Sequence, residues 1–403
     1  MAMIRPFRAL RPTPEKAALV ASVPYDVCST AEARVLAKGN PDSFLHVVRP
    51  EIDLPEGTDV HDDAVYAKAR ENFDAFQARG TLVREETPCV YLYRQIMAGH
   101  AQTGIVATFS VDEYDHDKIL KHEKTRPDKE ADRTRHVTTL GAQAGPVFLT
   151  FPPNPRVREL MREVCEGEPL FDFNAVDGVQ HTVWRVEDPQ PLVDAFGEIP
   201  LLYVADGHHR SASASNVRRQ RREDGKLAPD DPANFFLAVA FPSDAVQILP
   251  YNRLITDLGG RTPEAFLREL RGVLPCEKVD SAEAARGEVR MYLAGSWYRI
   301  PLEPNADDPV SRLDVQVLAE RILSPMLGIE NQRTDERISF VGGIRGTKAL
   351  SDAVDAGEAM LAFSLPAVTP AELLAVADAS RTMPPKSTWF EPKLRSGLLV
   401  YTL

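Results

Sequence analysis

Apolar positions along this chain follow two rhythms, short unbroken runs and stripes spaced three to four residues apart, and their alternation predicts sheets covered by helices. Residues 88–95 and 103–111 read as a strand pair joined through Ala98-Gly99-His100, and 289–300 as a hairpin around Ala294-Gly295. Further strands are expected at 145–151, 177–186 and 360–365, with 235–241 a central strand because nothing polar interrupts it. Helical spacing begins near Ser29 or Thr30, with Glu32 in the first turn. It returns at 62–80, where Val65, Ala69, Phe73 and Phe76 share a face and Gly80 is the stop. Other helices are expected at 157–164, up to Phe196, and at 263–274, 313–327, 348–357 and 370–379, the last with Thr369 as its N-cap. The opening segment, punctuated by Pro6, Pro12, Pro14 and Pro24, reads as extended pieces and turns. From 114 to 140 charged residues crowd together, a density that ordinarily marks solvent. A boundary is expected within 253–260, and there is no internal repeat.

The chemistry concentrates in one place. Leu201-Leu202-Tyr203-Val204-Ala205 reads as a buried strand that ends in Asp206-Gly207-His208-His209-Arg210, and a helix free of Gly and Pro follows at once. A strand feeding such a turn aims unbonded backbone N–H groups and the positive end of the helix dipole at one spot, which suits phosphate. Arg210 adds a bidentate fork, and Gly207 permits a backbone conformation or close approach that a Cβ would block. Against this, an Asp-Gly turn is common and a turn histidine is usually a solvated polar residue. Five such residues in succession after an apolar strand favour the functional reading.

Composition narrows the field. With 403 residues, 43% of them hydrophobic, the chain can bury two or three domains, and a net charge of −12 opposes nonspecific nucleic-acid binding. The short run 218–222 is basic, but Glu223 and Asp224 follow it, as on a solvated helix face. Cys28, Cys89, Cys165 and Cys276 form no Cys-x-x-Cys pair, which argues against a zinc knuckle or redox dithiol and fits reduced thiols in a cytoplasm. Residues 1–8 lack the apolar core of a leader, and 235–241 is too short to cross a bilayer, so no membrane anchor is expected.

Val23-Pro24-Tyr25-Asp26-Val27, His122-Glu123-Lys124-Thr125, the 203–210 segment, and Met383-Pro384-Pro385-Lys386-Ser387-Thr388 with Pro392-Lys393 together resemble the domain of unknown function 1015 family. Around Asp206 to Arg210 that family is similar to the ParB/sulfiredoxin-like nucleotide-binding fold and its free-serine-kinase branch. The resemblance implies an α/β (α+β) protein, with a ParB/sulfiredoxin-like core carrying insertions over 1–255 and a C-terminal α+β domain over 256–403. Two departures stand out. Tyr251-Asn252-Arg253 occupies the place of Thr-His-Arg, which removes a histidine but leaves Arg253 as a cation, and Ser211 stands where tyrosine is expected.

On that resemblance Gly207, His208, His209, Arg210 and Ser211 would hold a phosphoryl chain, with Asp206 a metal ligand or the base for an attacking hydroxyl. Phosphoryl transfer is mainly positioning and charge neutralisation, so one carboxylate among cations suffices. Glu123 is the second candidate carboxylate, beside His122 in a basic stretch; a salt-bridged exposed helix is the alternative. Pro127 can open that helix, and the spacing of Arg126, Lys129 and Arg133 places them along one face. Asp26 either orients a substrate amine or magnesium-bound water, or simply caps a turn. Lys386, Ser387, Thr388 and Lys393 suit an anion, unless they form a rigid surface loop anchored by Trp389 and Phe390. The expected activity is phosphoryl transfer involving free serine or O-phosphoserine, with ADP or ATP and magnesium as cofactors. The alternatives are a phosphoserine phosphatase of serine biosynthesis and a nucleotide-binding regulator without turnover; a nuclease is disfavoured by the charge.

Overall fold

Phe235–Pro242, the most continuously apolar segment, becomes an inner strand of a nine-stranded mixed sheet and is buried on both faces. In the computed structural model, which describes residues 3–304 and 308–403, the strands of this sheet are β1 (Ile4–Arg5), β2 (Val90–Met97), β3 (His100–Ser110), β4 (Ile119–Leu120), β5 (Val147–Phe151), β6 (Phe171–Asn174), β7 (Gln180–Val186), β8 (Leu202–Asp206) and β9 (Phe235–Pro242). Their order is β4-β8-β5-β9-β3-β2-β7-β6, with β1 paired to β3. β9 runs antiparallel to β3, with Ala107 opposite Ala238, and parallel to β5, with Leu149 opposite Ala240. One face packs on helices Pro155–Cys165 and Gln190–Gly197 through Val157, Leu160, Leu192 and Phe196. A separate helical cluster, with Phe44, Phe73 and Phe76 at its centre, lies in the same unit.

The chain divides into two compact units: one holds the residues up to Val246 together with Pro392–Leu403, the other Gln247–Glu391. This division differs from one placed after residue 255. Tyr251–Ile255 belongs to the second unit because it pairs with Ile338–Gly342 and Leu361–Ser364. The end of the chain belongs to the first because Val400 bridges Leu10, Ser396 bridges Ser22, and Tyr401–Thr402 pairs with Ala142–Gln143. The second unit is a six-stranded antiparallel sheet with its own core around Phe266, Leu270, Met291 and Phe363.

Most predicted elements form where the pattern put them. Ser29 and Thr369 each close a capping box with Glu32 and Glu372, and Pro127 is the first residue of helix Pro127–Leu140. The charge-dense stretch is the correction: far from being all solvated, it buries His122, which packs on His208 ahead of the helix, and Thr134, His136 and Leu140 on the helix itself, which packs on helices Asp63–Ala78 and His208–Glu223. The basic run is likewise engaged, Arg218 pairing with Asp112 and Asp115 and Arg221 with Asp231. Residues 1 and 2 of the stretch read for a leader lie outside the described residues. Among the described residues no helix is long and apolar enough to cross a membrane.

Gly104 tests how tightly the sheet is packed. A Cβ there would stand 2.7 Å from Val239 Cγ1 and 2.9 Å from the Ala240 carbonyl oxygen. Gly104→Ala is expected to lower unfolding free energy by about 1–3 kcal/mol through overpacking, read as a reduced urea midpoint at unchanged slope.

Candidate functional site

The motif is a strand, a distorted register and a helix start in immediate succession. β8 pairs with β5 at Val204 opposite Leu149, but the next pair is Asp206 opposite Phe148, so one residue of the motif strand is extra. Such a bulge bends the strand and re-aims the side chain beyond it. Gly207 follows at φ +91°, and helix His208–Glu223 starts with no side chain capping its first turn. A Cβ on Gly207 would meet Arg210 Nε at 3.2 Å and Val147 Cα at 3.4 Å, so glycine is required by conformation and by space. The Gly207 carbonyl accepts from the N–H groups of Arg210 and Ser211.

Asp206 sits in this bend as an anchored anion. Its Oδ1 accepts the Gly207 N–H at 2.8 Å and its Oδ2 accepts from Lys393 Nζ at 3.1 Å. Burial works against the charge, but Lys393, Arg210 and the Gly207 N–H outweigh it and hold the carboxyl well below its usual range. Lys393 itself is delivered by buried polar groups. Gln95 Nε2 donates to the Lys393 carbonyl at 3.0 Å, and two residues on, Arg395 Nε donates to His181 Nε2 at 3.1 Å while its guanidinium pairs with Asp177. Tyr93 Oη lies 2.7 Å from the other nitrogen of His181.

The histidines divide. His208 is buried and its Nε2 lies 3.4 Å from His122 Nε2, the rings meeting edge to face at 4.5 Å. Burial pulls His122 down to about 4, and burial plus the His122 ring hold His208 well below the imidazole range, so both are neutral at neutral pH. Neither is a cation for phosphate, and His122, 1% exposed, is walled off from direct ligand contact. His209 differs: its Nε2 accepts the Arg126 N–H at 3.1 Å. Ser211 is also buried and turns its hydroxyl back onto the His208 carbonyl.

Arg210 bounds a cleft whose walls include Tyr25, Arg133, His136, Gln143, Ser213 and Ser396. Its guanidinium donates to the Pro146 carbonyl and lies 3.9 Å from Asp26 Oδ2, a loose ion pair with an exposed carboxylate. Asp26 and Asp206 raise the Arg210 pKa against the opposing effect of burial. Arg133 stands over the Tyr25 ring at 4.0 Å and forks onto Asp132 at 2.9 and 2.7 Å. Tyr25, His136, Gln143 and Ser213 were not singled out as cleft residues by their chemistry; His136, three residues after Arg133, carried a helical-spacing signal. Arg126 is exposed and paired to Asp128, and Glu123 is exposed in the segment before the helix.

The second unit holds the remaining candidates. Arg253 and the buried Ser387 line one cavity there, Thr388 is half-buried, and exposed Lys386, at φ +53°, has its ammonium 5.8 Å from the Tyr251 ring. Of the expected late anion-binding group, Lys393 is the member placed on Asp206.

A bend of this kind, on an α/β scaffold with an anchored carboxylate and flanking cations, has the donors and charges to hold an anion. The chain belongs to the DUF1015 family of proteins of unknown function, whose model matches residues 4–316. The 383–393 segment lies beyond the matched residues. No curated protein matches. Among solved structures, a conserved hypothetical protein from Pyrococcus furiosus is 16% identical with a TM-score of 0.35, over 74% of this chain and 95% of that one. A free serine kinase in complex with AMP is 18% identical with a TM-score of 0.35, over 73% and 92%. A C-terminally truncated SbnI from Staphylococcus aureus is 14% identical with a TM-score of 0.39, over 73% and 87%. No residue role is carried over from these structures.

The neutral histidines make stability depend on pH. His122 and His136 are both drawn down to about 4 by burial, with His136 Nε2 3.0 Å from the Val47 carbonyl. Because the unfolded chain binds these protons near pH 6.5 and the folded chain does not, stability is full above that pH and falls as pH drops toward 4. Each contributes about 1.4 kcal/mol per pH unit within that window. His46, raised by its hydrogen bond to Asp53, acts in the opposite direction. Urea midpoints between pH 7 and 4.5 are expected to fall, less steeply in His136→Asn.

Proposed function

We propose that this protein transfers a phosphoryl group between a nucleotide, ADP or ATP, and free serine or O-phosphoserine. The observation that carries the reading is the Asp206 carboxylate, fixed between Lys393 Nζ and the Gly207 N–H at an uncapped helix N-terminus, with Arg210 at the wall of a cleft. Phosphate oxygens entering there meet first-turn N–H groups and the Lys393 ammonium. They can also displace the loosely held Asp26 from Arg210. In the transfer, the serine hydroxyl oxygen bonds to the terminal phosphorus, the bond from phosphorus to the nucleotide's bridging oxygen breaks, and the hydroxyl proton passes to a carboxylate. Asp206, held so far below its usual range, is a weak proton acceptor at neutral pH and serves as a charge anchor instead. The acceptor role is assigned to Glu123.

Magnesium fits this site in a limited way. Among the described residues no three His, Cys, Asp or Glu side chains are grouped to cage a metal. Asp206 offers a single carboxylate, which together with phosphate oxygens is a usual magnesium environment. When bound, the ion would neutralise phosphate charge; the protein's own share remains the positioning done by Lys393, Arg210 and the helix start.

The test is product identification after mixing the full chain with magnesium, ADP or ATP, and labelled serine or O-phosphoserine. Nucleotide-dependent interconversion is expected. Lys393→Met and Arg210→Lys are expected to lower kcat by about a hundredfold or more while circular dichroism stays unchanged. Interconversion absent with every nucleotide, or undiminished in both variants, overturns the assignment.

A further inference from the structure

A row of side chains crosses the first unit's sheet on the face opposite to Leu92 and Trp184. Strand register puts Phe173 of β6 opposite His181 of β7, His181 opposite Gln95 of β2, and Gln95 opposite Gln102 of β3. Residues directly opposite share a face, and Tyr93, two positions before Gln95, shares it too. His181, Gln95 and Gln102 are each 0% exposed. Three adjacent polar side chains out of water are costly unless they are bonded, and these are bonded to one another's neighbours and to the returning chain end.

Two of those bonds have a fixed direction. The Lys393 carbonyl only accepts, so Gln95 presents its Nε2 there at 3.0 Å, and this turns Gln95 Oε1 toward Gln102 Nε2 at 3.1 Å. Arg395 Nε–H only donates, so His181 Nε2, 3.1 Å away, carries no proton. Burial and the neighbouring Arg395 charge pull the His181 pKa down to about 3, and the ring is neutral. Its one proton is then on Nδ1 and is donated to Tyr93 Oη at 2.7 Å. The Phe173 ring, stacked on the imidazole at 5.4 Å, closes its other side. Two side chains opposite each other in the sheet thus grip alternate residues of the chain end, Gln95 by the Lys393 backbone and His181 by the Arg395 side chain. One grip leaves the segment free to pivot; the second removes that freedom, and the Lys393 ammonium is left facing Asp206 at 3.1 Å.

We propose that His181, fixed as its Nδ1–H tautomer, is a positioning residue that acts through Arg395 to hold the Lys393 ammonium on Asp206. Its effect on turnover rests on the phosphoryl-transfer reading; the positioning itself does not.

Glutamine and asparagine at position 181 separate acceptor geometry from packing. In His181→Gln the amide oxygen reaches the place of Nε2, whereas in His181→Asn it reaches only that of Nδ1 and Arg395 loses its acceptor. Acetylation of Lys393 in the full chain by an N-hydroxysuccinimide ester, read by mass spectrometry, is expected to be slow in the unsubstituted protein and in His181→Gln. It is expected to be about tenfold faster in His181→Asn. In the serine and O-phosphoserine assay, kcat is expected to fall about tenfold in His181→Asn and to be largely restored in His181→Gln, with KM for the nucleotide changing less. Nitrogen-15 NMR of the unsubstituted protein, which depends on no variant folding, is expected to show His181 protonated on Nδ1 and bare on Nε2. A proton on Nε2, equal acetylation of Lys393 in all three proteins, or equal acceleration in both variants overturns the proposal. Absence of turnover alongside the expected NMR and acetylation results overturns the transfer reading alone and upholds the positioning.

Discussion

The ion pair between Asp206 and Lys393, 187 residues apart in sequence, organises the first unit's site, yet it is not what brings those residues together. A partly exposed ion pair contributes on the order of 1 kcal/mol or less, too little to order a returning chain end. The segment 392–403 is placed by backbone pairing at Ser22, Leu10 and Gln143, by the buried bond of Arg395 to His181, and by its ion pair with the exposed Asp177. Lys393 then has little freedom left to lose, and its ammonium meets the carboxylate at small entropic cost. The carboxylate is ionised because the chain end is anchored, and the anchoring is done by backbone pairing, by the buried Gln95 and His181, and by the Arg395–Asp177 ion pair.

That arrangement decides which groups can carry charge for an incoming ligand. His122 and His208 look like phosphate cations in a written sequence, but packed ring against ring away from solvent they stay neutral. The permanent positive charges are Lys393, Arg210 and Arg133, and each already has a carboxylate nearby. On the proposed function, therefore, an anion enters by exchange rather than by filling an empty positive field. Exchange is easiest where the existing pair is loosest, at Arg210 and Asp26, since the Arg133 fork onto Asp132 is short and doubled.

Local sequence carried the strand, the glycine bend and the helix of the motif because each is dictated within a few residues: an apolar run, a positive-φ position, then a stretch without breakers. The hairpins and capping boxes were legible for the same reason. The bulge between Val204 and Asp206 was not, since it depends on how β8 lies against β5. Nor was the burial of His122 and His136, because charge density along a chain counts residues and not the surfaces that later cover them. The late Lys/Ser/Thr group read as one loop; backbone pairing assigns Lys393 to the first unit and the Arg253 and Ser387 cavity to the second. Sequence proximity carries no information about such a division when a chain leaves a unit and returns.

Arg210 and Arg253 show how one residue type is used in two electrostatic settings. Arg210 lies near two carboxylates, which raise its pKa despite burial. Its charge is balanced in the fold, so on the proposed function ligand binding there trades one anion for another. Arg253 faces carbonyl dipoles and an aromatic ring, which offer partial negative charge but no full unit of it. Carbonyl dipoles solvate a guanidinium in place and fix its plane, but they leave its field uncancelled in a medium of low dielectric. On the proposed function a ligand at Arg210 competes with Asp26, whereas Arg253 is held by dipoles and a ring, with no carboxylate among the described residues to be displaced.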